Sequence, residues 1–193
     1  LNYYFLEMNT RLQVEHPITE RVVGVDLVKT QINIANNKTL DFKQEDLKQT
    51  GHAIEVRIYA EDPDNNFMPN PGRIEHMTEP LGLGVRHDGY VYSGYEIPIY
   101  YDPMISKLIV WAQTREEAID RLRRALHEYK ITGIKTTIPF LSRILDVPDF
   151  INGRYNTHFV QDNEKLLRPN KKSSKRLKEM VAIASFMNHL ENI

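Results

Sequence analysis

Between Phe5 and Glu15 the chain alternates. Leu6, Met8, Thr10, Leu12 and Val14 take the even positions, and Glu7, Asn9, Arg11, Gln13 and Glu15 the odd ones. In an extended chain each set shares a face, so the stretch predicts a strand whose apolar face anchors in the core. His16-Pro17 ends the pattern, and a segment follows to Gly24. Asp26 then suits the cap of a helix with Leu27, Val28, Ile32, Ile34 and Ala35 on its apolar side, and Asn36-Asn37 suits its stop. Alternation returns from Ala53 to Ala60, where Ile54, Val56 and Ile58 interleave with Glu55, Arg57 and Tyr59, the pattern of a half-buried strand.

From Glu61 to Gly72 the run EDPDNNFMPNPG is dense in turn formers and predicts a loop. Short β-like pieces around Arg73–Met77, Gly84–His87, Tyr90–Tyr92 and Ile105–Trp111 follow between Gly and Pro, predicting a mainly antiparallel sheet. Thr114, with Glu117 three places on, opens a helix whose buried stripe is Ala118, Leu122, Ala125, Leu126 and Tyr129. A shorter helix spans about Ile138 to Leu145, then comes a loop through PDFINGRYNTHF. Leu177, Met180, Val181, Ala184, Met187 and Leu190 recur at helical spacing after the basic run RPNKKSSKRLKEM, which reads as a linker and an amphipathic helix.

Composition narrows the function. With 41% hydrophobic and 26% charged residues in 193, the chain can bury a real core. The formal charge of -1 gives no overall field toward nucleic acid or an anionic membrane. The basic run lacks interleaved aromatics for base stacking and reads as a solvated face or subunit contact. No cysteine is present, which excludes disulfides, thiolate catalysis and cysteine zinc sites in this chain and accords with a cytoplasmic setting. No apolar run approaches the roughly 18 residues of a membrane span. Leu1 is not an initiator residue, so the chain is expected to be a piece of a longer protein.

The odd face of the opening stretch carries candidate chemistry. Oxygens of Glu7 and Asn9 on one strand face, roughly 6 to 7 Å apart at the backbone, can clasp one hard cation, and Mg²⁺ takes only one or two carboxylates with phosphates and waters completing its shell. Arg11 offers a donor fork to an oxyanion, Gln13 adds neutral capacity, and Glu15 is a candidate base. For all five to converge the chain must bend, since a straight strand spreads them over about 27 Å. The alternative is the wet face of an edge strand. His16 reads as a loop-orienting residue and Lys107 as a snorkelling or paired strand residue.

The stretch FLEMNTRLQVEHPITE resembles the signature of biotin carboxylases, and the likeness continues through GHAIEVRIYAEDP, NPGRI, GVRHDGYVYSGYEIPIYYDPMISKLIVW, ITGIKTTIPF and NTHF, about Leu1 to Val160. The resemblance implies an α+β fold: the end of an ATP-grasp region (1–45), the biotin carboxylase C-terminal domain of antiparallel sheet with flanking helices (46–163), then the basic linker and helix (164–193). It implies ATP, Mg²⁺ or Mn²⁺, and biotin as carried substrate. Glu7 and Asn9 are then metal ligands, Glu7 and His158 nucleotide contacts, and Arg11, Gln13 and the Val14 backbone a bicarbonate cradle. Glu15 becomes the base that deprotonates bicarbonate before it attacks the γ-phosphate. Arg86 becomes the arginine that stabilises the biotin enolate. Implied partners are a biotin carrier protein or domain, a carboxyltransferase and a second copy in a homodimer.

The family's upstream metal-binding glutamate, glycine-rich lid and active-site lysines have no counterpart in this chain, so the piece alone is expected to be inactive. Acetyl-CoA or propionyl-CoA is the expected final acceptor, within fatty acid biosynthesis in the former case, and pyruvate the alternative. A noncatalytic assembly module is the reading from another class; a different ATP-grasp ligase is disfavoured because the likeness runs past the nucleotide fold.

Overall fold

A computed structural model describes residues 3–169, 179–183 and 187. Residues 1–154 form one compact unit and 155–193 a second. The first opens with α1 (His16–Val23) and α2 (Leu27–Ala35), then β1 (His52–Tyr59), β2 (Glu61–Asp62), β3 (Met68–Pro69), β4 (Gly72–Arg73), β5 (His76–Thr78) and β6 (Val85–Gly89). It continues with β7 (Glu96–Ile97), β8 (Met104–Ala112), α3 (Arg115–Glu128), β9 (Lys130–Thr132), α4 (Ile138–Ile144) and α5 (Pro148–Ile151). The second unit contains the short helices α6 (Phe159–Asp162) and α7 (Glu164–Leu167). The basic run and most of the expected tail helix lie outside the described residues; 179–183 and 187 are helical. No helix among the described residues is long and apolar enough to cross a membrane.

The antiparallel sheet orders its strands β1-β8-β6, with β8 paired on both sides. One face is apolar: Ile58, Leu108 and Val110 are fully buried and pack against Leu122, Ala125 and Leu126 of α3. The five-residue stripe expected on that helix is buried throughout, and Ile119 joins it. The Thr114 side chain accepts from the Glu117 N–H at 3.2 Å, while the Glu117 carboxylate reaches back to Gln113 N, one residue before the cap. Gly133, at φ 94, follows β9; a Cβ there would run into the Arg73 carbonyl, so the turn requires glycine.

Several expectations fail. Residues 3–10 form no strand, and Tyr3, Phe5, Leu6 and Met8 are exposed, because no strand among the described residues pairs with this stretch and an unpaired strand has no ladder to hold it. The helix α2 forms as capped, with Asp26 accepting from Lys29 N at 2.8 Å, but Val28, Ile32 and Ile34 are exposed since no described element covers them. Inside the expected loop, β2 and β3 make a small ribbon around the turn Pro63–Asn65. Tyr90 and Tyr92 are in no strand and instead stack edge-on against Tyr95. One helical turn, α5, interrupts the expected loop after Val147.

A polar chain runs into the core. Tyr129 is 2% exposed; its hydroxyl lies 2.9 Å from both His87 Nε2 and Ser106 Oγ, and His87 Nδ1 is 3.3 Å from Glu79. Burial above all pushes the Tyr129 hydroxyl up to about 12, with the Ser106 bond opposing and the Glu79 charge assisting. Burial pulls His87 below its ordinary 6.5 against the attraction of Glu79 and Asp88. Tyr129 therefore contributes stability that is fully present below its ordinary 10 and lost as pH rises toward 12. His87 contributes stability present above 6.5 and lost as pH falls below it. Urea midpoints of the chain measured across pH are expected to fall more gently on the alkaline side in Tyr129→Phe than in wild type. At pH 8 the variant is expected to be about 1 to 3 kcal/mol less stable, because the His87 and Ser106 partners are left unpaired.

Candidate functional site

The other face of the sheet is charged, and strand register explains why. Lys107 of β8 sits between Arg57 of β1 and Asp88 of β6 in one cross-strand row; Ile109 sits between Glu55 and Arg86 in the next. The period-2 pleat puts these side chains together, opposite the apolar face. Helix α1 lies against β1 and β8. Its Pro17 and Val22 are buried, so the segment just before it, residues 13–15, is brought over the charged row.

That segment has no ladder, and three basic side chains hold it. His16 Nδ1 bonds the Gln13 carbonyl at 2.8 Å, Lys107 Nζ donates to the Val14 carbonyl at 3.1 Å, and Arg57 Nη2 donates to Glu15 Oε2 at 3.1 Å. The loop-orienting histidine and the paired lysine expected at His16 and Lys107 both match this. The Arg57–Glu15 pair leaves 41% and 55% of the side chains exposed, so it is worth only about 0 to 1 kcal/mol to the fold. Its consequence is geometric: it fixes one carboxylate oxygen of Glu15.

Arg11, Gln13 and Glu15 line one cleft of about 510 Å³, and Arg11 Nη1 is turned to the Leu12 carbonyl. Arg86 lines a different cleft, of about 460 Å³, with Glu20, Arg21 and Asp26. It is clamped: Nε and Nη2 donate to the two Asp88 oxygens at 2.7 and 2.8 Å, and Nη1 to Glu20 at 2.6 Å. Three of its five N–H groups are thus engaged. The Asp88 hydrogen bonds, working against partial burial and helped by Glu20, raise its already high pKa. Burial pushes the Asp88 carboxyl up, but Arg86 and Lys107 outweigh it and leave it below its ordinary value.

The structure therefore brings Arg57, and not Arg86, to Glu15. Sequence reasoning missed Arg57; its signal was the polar alternation Glu55-Arg57-Tyr59 on a strand, opposite Lys107 in register. Glu7 and Asn9 lie in the exposed irregular stretch. Their hard oxygens suit Mg²⁺ as part of a shell, yet no group of three or more His, Cys, Asp or Glu among the described residues is placed to hold a metal. His158 precedes α6 in the second unit, exposed, with Nδ1 3.3 Å from Gln161.

Fold and site define an α+β protein in which a clamped irregular segment crosses the polar face of an antiparallel sheet. Residues 55–162 match the family described as biotin carboxylase C-terminal domain, and residues 1–43 match the carbamoyl-phosphate synthase L chain ATP-binding domain. The chain belongs to the biotin carboxylase family. It is 55% identical over 159 residues to biotin carboxylase 1 of Bacillus subtilis, covering 82% of this chain and 35% of that one. It is 57% identical over 161 residues to a pyruvate carboxylase subunit of Methanothermobacter thermautotrophicus, covering 83% and 33%. It superposes with TM-score 0.84 and 48% identity on the crystallised biotin carboxylase domain dimer of the Hydrogenobacter thermophilus 2-oxoglutarate carboxylase, described with MgADP, ADP and bicarbonate, covering 88% and 37%. The chain thus spans about a third of the length of these relatives.

One carboxylate in the charged row is poorly served. Glu55 Oε2 is enclosed without a hydrogen-bond partner, and burial raises its pKa from 4.5 despite Lys107, Arg57 and His16 nearby. The raised value means that its contribution is present below pH 4.5 and lost as pH rises through the folded pKa. Glu55→Gln is expected to match or exceed wild-type stability at pH 7 and to remove that decline. A denaturation midpoint lower at pH 7 than wild type would contradict this account.

Proposed function

We propose that this chain is the C-terminal part of a biotin carboxylase, with 1–45 closing the ATP-grasp region, 46–163 forming the C-terminal domain and 164–193 a linker and helix. The full protein would carboxylate biotin on a carrier protein using ATP and bicarbonate. The observation that carries this reading is the Glu15–Arg57 pair at 3.1 Å beside the clamped segment 13–15. Arg11 and Gln13 would receive bicarbonate with the Val14 backbone, and Glu15, one oxygen held by Arg57, would take its proton through the other. Glu7 and Asn9 would hold Mg²⁺ or Mn²⁺, which when bound neutralises the phosphates of ATP, and Glu7 and His158 would contact the nucleotide.

For the biotin enolate we favour Arg57 over Arg86. A guanidinium stabilises a developing oxyanion when it is fixed beside the reacting groups. Arg57 is paired with the base itself, whereas Arg86 is held by two other carboxylates, Asp88 and Glu20. Exposed Leu6 and Met8 and the bare face of α2 are surfaces that the remainder of the protein would cover. The relatives include carboxylases named for pyruvate and for 2-oxoglutarate, so acetyl-CoA, propionyl-CoA or pyruvate would be selected by a carboxyltransferase and not by these residues. A homodimer is the proposed assembly.

The test is ADP release by the full-length enzyme with Mg²⁺ and bicarbonate, with and without free biotin. Arg57→Ala is expected to lose biotin-stimulated release by about 10²-fold or more, as for loss of an oxyanion donor, and Arg86→Ala to lose far less. Release indifferent to biotin in wild type would sink the carboxylase reading; the reverse ranking of the two variants would return the role to Arg86. Residues 1–193 alone are expected to show no ATP-dependent biotin carboxylation, because phosphoryl transfer depends on a fully assembled site. Turnover by that piece would refute the incompleteness of its site.

A further inference from the structure

We propose that Lys107 is a positioning residue for the bicarbonate cradle, acting through the carbonyl of Val14; the inference rests on the carboxylase reading above. Lys107 reaches from the middle strand of the sheet, its side chain 13% exposed, and donates to the Val14 oxygen at 3.1 Å. Asp88, 3.6 Å away, anchors the ammonium from the neighbouring strand, and Asp88 is itself fixed by Arg86. The lysine is therefore aimed by the sheet, not by the segment it holds.

The consequence follows from peptide geometry. In a planar trans unit the carbonyl of one residue and the N–H of the next point in opposite directions, and this chain has no cis peptide. Holding the Val14 carbonyl toward the sheet turns the Glu15 N–H away from it. By the same geometry the His16 bond to the Gln13 carbonyl turns the Val14 N–H away from His16. No hydrogen bond within the described residues uses either N–H. Two successive backbone donors are thus oriented in advance, the arrangement that receives an anion without reorganisation. Without Lys107 the 14–15 peptide, the centre of a turn closed by the His16 N–H to the Gln13 carbonyl at 3.2 Å, loses the bond that sets which way its plane faces.

The experiment compares Lys107→Met and Lys107→Arg in the full-length enzyme, reading biotin-stimulated ADP release against bicarbonate, ATP and biotin concentration, with thermal unfolding alongside. Lys107→Met is expected to raise the bicarbonate KM roughly tenfold or more while the ATP KM stays within about twofold, since misplacing one cradle donor weakens one substrate. Lys107→Arg, which keeps charge and donor, is expected to recover most of the loss. A bicarbonate KM unchanged in folded Lys107→Met overturns the proposal, as does a parallel rise in all three KM values. Should Lys107→Met not fold, Lys107→Gln is read the same way, and failure of both to fold makes Lys107 a stability residue and overturns the proposal. Wild-type enzyme without bicarbonate-dependent release would instead defeat the carboxylase reading itself.

Discussion

The rest of the first unit depends on β8 being hydrogen-bonded on both sides. Because it is central, its two faces are committed to different solvents: Leu108 and Val110 to a dry core under α3, Lys107 to a charged row shared with Arg57 and Asp88. A slip of one residue in either neighbour would carry Arg57 or Asp88 into the apolar layer, so the register that buries the core also assembles the charges.

This two-faced sheet solves a local problem. The segment before α1 crosses the sheet without joining it, and irregular backbone of this kind has few intrinsic restraints. Side chains rooted in rigid strands supply them, and the ion pairs involved add little stability. Their effect is to fix directions: of a carboxylate oxygen at Glu15, and of peptide planes at Val14. Arg86 illustrates the opposite use of the same chemistry. Its fork is occupied by Asp88 and Glu20, which joins β6 to α1 and leaves the guanidinium little net charge to offer a ligand.

Among described residues the first unit also shows surfaces that its own elements leave bare: the face of α2 with Val28, Ile32 and Ile34, and the stretch with Leu6 and Met8. On α2 the apolar patterning is sound as a local signal and wrong only about where the covering layer lies, whereas the alternation through Leu6 and Met8 forms no strand at all; both accord with a chain spanning a third of its relatives.

By itself the sequence determined the pieces whose physics is local. Period-2 alternation at Ile54, Val56 and Ile58, the Thr114 cap, the stripe from Ala118 to Tyr129 and the Asp26 cap all form where their spacing places them, because each is decided within one or two turns or one strand. The motif also delivered the family, and Glu15, Arg11 and Gln13 do line one cleft. Tertiary structure alone decided the rest. Glu15 and Arg57 are 42 residues apart and Lys107 and Val14 are 93 apart, and only strand register and the docking of α1 bring them together. The docking of α1 likewise carried Glu20 to Arg86 across 66 residues, where it completes a clamp that Asp88, two residues along the same strand, begins.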